Sequence, residues 1–294
     1  MMFHYLDKKV TPYMNNMQRL TTIIYLLGFT TKEQLITITG WPADQVVDTL
    51  QRIRKQGKTS EARDSWLKIW KTGGKGSINL YSLGQKSVNL AASLRKEDSG
   101  TGKFQKKELK EGQMYHFLGN NEILIRLLKA GAVITDYKTG KEVMSHIKAA
   151  YKERYFDEHG VLRSKSKDYL DFKPDSSVTV SGGMSAFLEY DTGSEGPTKL
   201  GERVENYVQG YTNASERTKQ RCLLPIAWIT SSEYRKRLLK DICEDIVAKY
   251  QDDYRQPIFP EMYCFVEGEE TDFLLGKTKA EPIMIGTLKE EHTA

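Results

Sequence analysis

The sequence predicts an α+β protein in two domains, a small helical unit carrying a β-hairpin followed by an α/β domain. Three observations predict this. Helix-period apolar runs punctuated by glycine fill the first ninety-odd residues, residues 95–113 carry almost no apolar side chains, and strand and helix patterns alternate from Met114 onward. The expected division is 1–94, a charged linker over 95–113, and 114–294.

The first unit is read element by element. Met14–Leu27 places Met17, Leu20, Ile23, Ile24 and Leu27 on one helical face, and Gly28 ends the run. A short helix follows over Thr31–Ile38, capped by Thr30 or Thr31 and ended by Gly40. Pro42 suits the first turn of a third helix reaching about Gln56, with Val46, Leu50 and Ile53 facing inward. Trp66–Lys71 and Ser77–Ser82 then alternate as strands around Thr72-Gly73-Gly74-Lys75-Gly76, and a last helix covers Gln85–Leu94. Helix, helix, helix, hairpin, helix is the order of a winged helix-turn-helix.

Charge gives this unit a direction. Residues 1–110 hold 19 Lys and Arg against 9 Asp and Glu, whereas the remainder holds 25 against 30. A basic first third on a mildly acidic remainder points to a polyanion meeting one domain only. The third helix offers Gln45, Thr49 and Arg52 toward base edges, with Lys55 behind them. The wing supplies Lys68, Lys71 and Lys75 for phosphate contacts, which set register and not sequence. Asp44 and Asp48 repel phosphate and oppose tight non-specific binding. Double-stranded DNA is the expected partner, bound without a cofactor, and a homodimer fits paired half-sites. The alternative is a winged helix used as a protein-interaction module, with Trp66 and Trp70 packed on the first helix.

Other classes are disfavoured. The longest apolar run, within Thr22–Phe29, is too short to span a bilayer, and the N-terminus lacks a secretory layout, so the cytoplasm is expected. Cys222, Cys243 and Cys264 form no CxxC pair, and His4, His116, His146, His159 and His292 are scattered, so a zinc site is not expected. There is no GxxxxGK[ST] loop, no GxSxG elbow and no HExxH.

In the second domain, helices are expected over Asn120–Ala130, Lys141–Tyr155, Pro197–Tyr211 and Ser231–Tyr250. Strands are expected over Ser177–Ser181, Met184–Tyr190, Leu223–Thr230 and Glu261–Val266, making a mixed sheet of four or five strands. Glu189 and Asp191, two apart, share a sheet face, and Asp175 on the neighbouring antiparallel strand falls beside them. Such carboxylates are hard oxygen ligands for Mg²⁺ or Mn²⁺ in phosphodiester chemistry, with Asp175 and Glu189 as metal ligands and all three as catalytic candidates. The competing reading is a surface cluster paired with Lys173, Lys199 or Arg203.

Several segments together resemble the plasmid replication-relaxation family. They are Met114-Tyr115-His116-Phe117-Leu118-Gly119-Asn120-Asn121, Phe172-Lys173-Pro174-Asp175, Phe187-Leu188-Glu189-Tyr190-Asp191-Thr192-Gly193-Ser194-Glu195, Leu200 to Tyr207, and Leu224-Pro225-Ile226-Ala227-Trp228-Ile229-Thr230. The resemblance covers most of the chain, including the winged-helix start. It implies a plasmid- or mobile-element-encoded protein of Gram-positive-type bacteria, acting in replication, relaxation or mobilisation. It also implies that the second domain resembles the PD-(D/E)xK nuclease fold, with Asp175 at the first acidic position and Glu189 at the second. Asp191 stands where that family carries its lysine, a departure that argues against cleavage. Arg203 is a positive group in the following helix but a poor base, and Glu142 is a further acidic candidate. The leading expectation is therefore a DNA-binding accessory protein of a mobile element. The alternatives are a Mg²⁺-dependent endonuclease and a transcriptional regulator whose second domain meets a partner such as a relaxase or replication initiator.

Overall fold

The computed structural model describes residues 13–56, 65–71, 78–96, 111–155, 172–214, 223–250 and 257–285. The chain forms mixed helices and sheets in two compact units, 1–135 and 136–294.

In the first unit, helix α1 (Asn16–Leu27) starts at a reciprocal cap. Asn15 Oδ1 accepts from the Gln18 amide at 2.9 Å, and the Asn15 amide donates to Gln18 Oε1 at 3.0 Å. Strand β1 (Thr30–Thr31) leads directly into α2 (Lys32–Thr39), where Thr31 makes the same kind of cap with Gln34 and Gly40 closes the helix in the left-handed conformation, at φ 62°. Helix α3 (Ala43–Lys55) follows Pro42 and buries Val46, Thr49, Leu50 and Ile53. Strands β2 (Leu67–Lys71) and β3 (Asn79–Leu83) pair antiparallel, β1 adds to the other edge of β3, and α4 (Gln85–Leu94) follows. The glycine-rich turn between β2 and β3, Lys75 included, lies outside the described residues, as does most of the expected linker.

Helix α5 (Glu111–Lys129) corrects the expected division, which began the second domain at Met114. It packs on α2 and β1, within the first unit. Phe117 sits 5.7 Å from Phe29, centroid to centroid, and against Gly28, where a φ of 75° and a Cβ that would lie only 3.0 Å from that ring both favour glycine. Asn121, buried, donates to the Phe29 carbonyl at 2.6 Å. Trp70 therefore packs on Phe29 (6.1 Å), in a cluster with Leu80 and Leu118, and its indole N–H donates to Ser82 Oγ at 2.9 Å. Replacing Asn121 by Ala strips a buried carbonyl of its donor, so urea unfolding is expected to show a loss of about 1–3 kcal/mol.

The second unit is built on a five-stranded sheet, ordered β4 (Ile134–Thr139), β5 (Ser176–Val180), β6 (Ser185–Asp191), β7 (Ile226–Thr230), β8 (Met262–Val266). β5 and β6 form the expected hairpin, whereas β6, β7 and β8 run parallel and are buried along almost their whole length, as strands covered on both faces are. Helix α6 (Gly140–Tyr155) packs beside β5, and Gly140 meets the chain so closely that a Cβ there would lie 2.4 Å from the Pro174 carbonyl oxygen. Helices α7 (Pro197–Asn213) and α8 (Glu233–Lys249) pack together over the face of Phe187, Ile226, Trp228, Met262 and Cys264. A short helix α9 (Glu270–Leu274) sets Phe273 on the opposite face, 4.5 Å from the Tyr263 ring. Cys243 and Cys264 are buried free thiols, and burial pushes the Cys264 thiol up to about 12 and Cys243 higher still. Cys222 is outside the described residues. Per-site alkylation at pH 8, read by mass spectrometry, is expected to leave Cys243 and Cys264 unmodified until the fold opens.

Candidate functional site

Two places gather the residues with chemistry to offer. On α3, at about 3.6 residues per turn, Asp44, Asp48 and Lys55 point farthest from the buried stripe, flanked by Gln51 and Arg52. Asp44, Asp48, Gln51, Arg52, Arg54 and Lys55 are exposed, and Gln45 is half-buried. Thr49 corrects the sequence reading: it is only 3% exposed, and its hydroxyl donates to the Gln45 carbonyl at 2.7 Å. It occupies the same stripe as Val46, Leu50 and Ile53, and a hydroxyl satisfied by the carbonyl one turn back is tolerated inside. A groove-reading role is thereby closed to it. The helix is polarised, acidic at its outward start and basic at its end, where Arg54 adds a cation that the sequence reading passed over. On β2, Lys71 is exposed, and Lys68 is half-buried with its ammonium 5.9 Å from the Trp70 ring centroid.

In the second unit, β6 delivers Glu189 and Asp191 to the face covered by α7 and α8, as the two-residue period requires. There the two part company. Glu189 is fully buried; Tyr207 of α7 donates its hydroxyl to Oε1, and Arg203, one turn earlier on α7, pairs with Oε2. Arg203 also lies 4.0 Å from Asp175 Oδ2 and donates to Glu195 Oε2 at 3.0 Å. Its guanidinium carbon is 5.1 Å from the Trp228 ring centroid, a cation–π contact inside the core. Asp175 reaches the cluster because its Oδ2 accepts from the Tyr190 amide at 2.8 Å, which ties it to β6.

Asp191 belongs to a different pair. Arg235 of α8 grips it with two parallel bonds, Nε to Oδ2 at 2.7 Å and Nη2 to Oδ1 at 2.9 Å, and the Gly193 amide adds 3.0 Å to Oδ1. Arg235 spends its third nitrogen on the Glu195 carbonyl at 3.0 Å. Neither Tyr207 nor Arg235 stood among the sequence candidates. Glu142, the further acidic candidate, is spent on capping α6, accepting from the Thr139 amide at 2.9 Å and its hydroxyl at 3.0 Å.

The electrostatics follow from burial. Desolvation pushes the Glu189 carboxyl well above the usual range and Asp175 adds to the push, while Arg203 and the Tyr207 hydroxyl pull the other way. Glu189 in turn holds Arg203 firmly protonated. Burial raises the Tyr207 hydroxyl well above its ordinary value, with Glu189 next in effect, so Tyr207 remains a donor.

Asp175 and Glu189 are the metal ligands of the alternative endonuclease reading, and the donor set around them does not fit a divalent ion. Hard cations need several free oxygens converging at about 2.0–2.6 Å. Both Glu189 oxygens are taken by Tyr207 and Arg203, and both Asp191 oxygens by Arg235. Among the described residues, no group of three or more His, Cys, Asp or Glu side chains is placed to hold a metal. The arrangement described is two arginine–carboxylate pairs that bolt α7 and α8 to the C-terminal end of β6. Nor is any helix among the described residues long and apolar enough to cross a membrane.

A model of the replication-relaxation family matches residues 22–225, more than half of the chain. No curated protein matches, and no solved structure matches. The matched span includes the α3 face, β2, Asp175, Glu189, Asp191 and Arg203, and stops before Arg235.

Proposed function

The chain belongs to the replication-relaxation family, and from that premise we propose that it is a DNA-binding accessory protein of a plasmid or other mobile element that does not itself cut DNA. The family ties it to plasmid replication and relaxation. The first unit supplies the contact. Its element order and three-stranded antiparallel sheet support a winged helix-turn-helix, with α3 as the groove helix and β2–β3 as the wing. One observation carries the reading: α3 buries an apolar stripe and turns a polar, charged face outward, ending in Arg52, Arg54 and Lys55. Arg52 and Lys55 meet backbone phosphate, Lys68 and Lys71 set the wing, and Gln45 reaches base edges. Asp44 and Asp48, on the outward start of the helix, penalise indiscriminate docking on a polyanion.

The second unit is the non-cleaving part of the proposal. The resemblance to a PD-(D/E)xK nuclease gives Asp175 and Glu189 the acidic positions, but Arg203 takes one Glu189 oxygen and lies 4.0 Å from Asp175 Oδ2, which speaks against metal-dependent cleavage. The test is a gel-shift on plasmid-origin duplex with and without Mg²⁺. The expected result is a shifted, intact duplex in both. Strand breaks that need Mg²⁺ and vanish in Glu189→Ala would move the assignment to an endonuclease, and absence of any shift at low salt would move the first unit to a protein-interaction role.

A further inference from the structure

The carboxylates of Asp175 and Glu189 converge on a cation, and that cation is a side chain. Arg203 Nη2 pairs with Glu189 Oε2 and lies 4.0 Å from Asp175 Oδ2, and Nη1 reaches Glu195 Oε2 at 3.0 Å. Three carboxylates, from β6, from the residue before β5 and from the segment after β6, thus face one guanidinium rooted in α7. The Asp175 and Glu189 side chains are 14% and 1% exposed, so each depends on a positive partner held close. Trp228 beneath Arg203 presents its ring to the guanidinium, 5.1 Å from centroid to carbon, which suits a fixed planar cation.

We infer that Arg203 is the resident cation of this pocket: it stands between the carboxylates that a divalent metal would bridge, takes one oxygen of Glu189, and makes the pocket metal-independent. The same guanidinium holds α7 to β6, so the positive charge that a nuclease would draw from solution as Mg²⁺ is here covalently part of the fold. An ion and the guanidinium compete for the same Glu189 oxygen, and the tethered group wins because it is always present and always charged. The inference stands or falls independently of DNA binding by the first unit.

The test uses the full chain and Mn²⁺, whose free-ion paramagnetic resonance signal falls on binding. Four proteins are compared: the unsubstituted chain, Arg203→Met, Glu189→Gln and the double variant. The unsubstituted chain is expected to leave the signal at the level given by Glu189→Gln, and its melting temperature is expected to be the same in Mg²⁺ and in EDTA. Arg203→Met keeps the stem over Trp228 but removes the charge. It is expected to melt about 10 °C lower, as loss of one partner of a buried pair implies, and to bind Mn²⁺ in a manner abolished by adding Glu189→Gln. Binding of Mn²⁺ by the unsubstituted chain that Glu189→Gln removes overturns the inference. So does a folded Arg203→Met chain that melts normally and binds no Mn²⁺. Should Arg203→Met not fold, Arg203→Lys keeps a tethered cation; it is expected to fold and to leave the Mn²⁺ signal unchanged, and Glu189-dependent Mn²⁺ uptake by it overturns the inference as well.

Discussion

Replacing Asp191 by Asn is expected to cost the protein about 3–5 kcal/mol of stability, because Arg235 is then left buried without its counter-charge. Asp191 and Arg235 are 2% and 8% exposed, and the pair is bidentate, the geometry in which loss of one partner is most costly. The informative companion is Asp191→Lys, which installs the residue that the nuclease resemblance leads one to expect. An ammonium against Arg235 adds like-charge repulsion to the lost pair, so this variant is expected to be less stable than Asp191→Asn and to gain no cleavage. Urea unfolding followed by circular dichroism measures both, with the exposed Asp241→Asn as a control expected within about 0.5 kcal/mol of the parent. Near-parental stability for Asp191→Asn would mean that the pair does not hold α8 to the sheet.

On the first unit, Arg52→Ala combined with Lys55→Ala is expected to weaken binding to duplex DNA about five- to thirtyfold. Each exposed cation contributes on the order of 0.5–1 kcal/mol, and one to two kcal/mol together spans that range. Thr49→Ser, by contrast, is expected to leave affinity unchanged, since Thr49 is buried and its hydroxyl is satisfied within the helix. Fluorescence anisotropy on one duplex at fixed salt compares all three proteins. A double variant that binds as the parent does would move the contact away from α3.

Much of this architecture was legible in the sequence where local chemistry decides it. The cap at Thr31 and the left-handed glycine at Gly40 are short-range devices, and the helix they bound, like the strands expected over Ser177–Ser181 and Met184–Tyr190 and the helix over Ser231–Tyr250, falls within about two residues of expectation. What escaped is long-range. β1 is two residues long and exists only because β3 lies beside it. β4 lacks a clean alternation, with Asp136 and Lys138 in its middle, and α9 is a bare turn of helix. The apolar period from residue 120 marks an amphipathic helix, but nothing local says that it docks on Phe29 through Asn121 and Phe117, within the first unit.

The candidate site divides in the same way. Period-two spacing correctly put Glu189 and Asp191 on one face. Their partners lie 14, 18 and 44 residues away, and a carboxylate waiting for a metal reads the same in sequence as one gripped by arginine. Thr49 misleads for a related reason. Its polarity suggested exposure, whereas its position on the α3 stripe dictated burial.

The measurement that tests the central claim most directly is the salt dependence of duplex binding by the full chain, from about 50 to 200 mM. Each phosphate neutralised releases counterions and adds about 0.9 to the slope of log affinity against log salt. Arg52, Lys55, Lys68 and Lys71 then predict a slope of about −3 to −4, reduced by about 2 in the Arg52→Ala, Lys55→Ala chain. Binding absent even at low salt, or a slope indifferent to those two residues, would contradict the account.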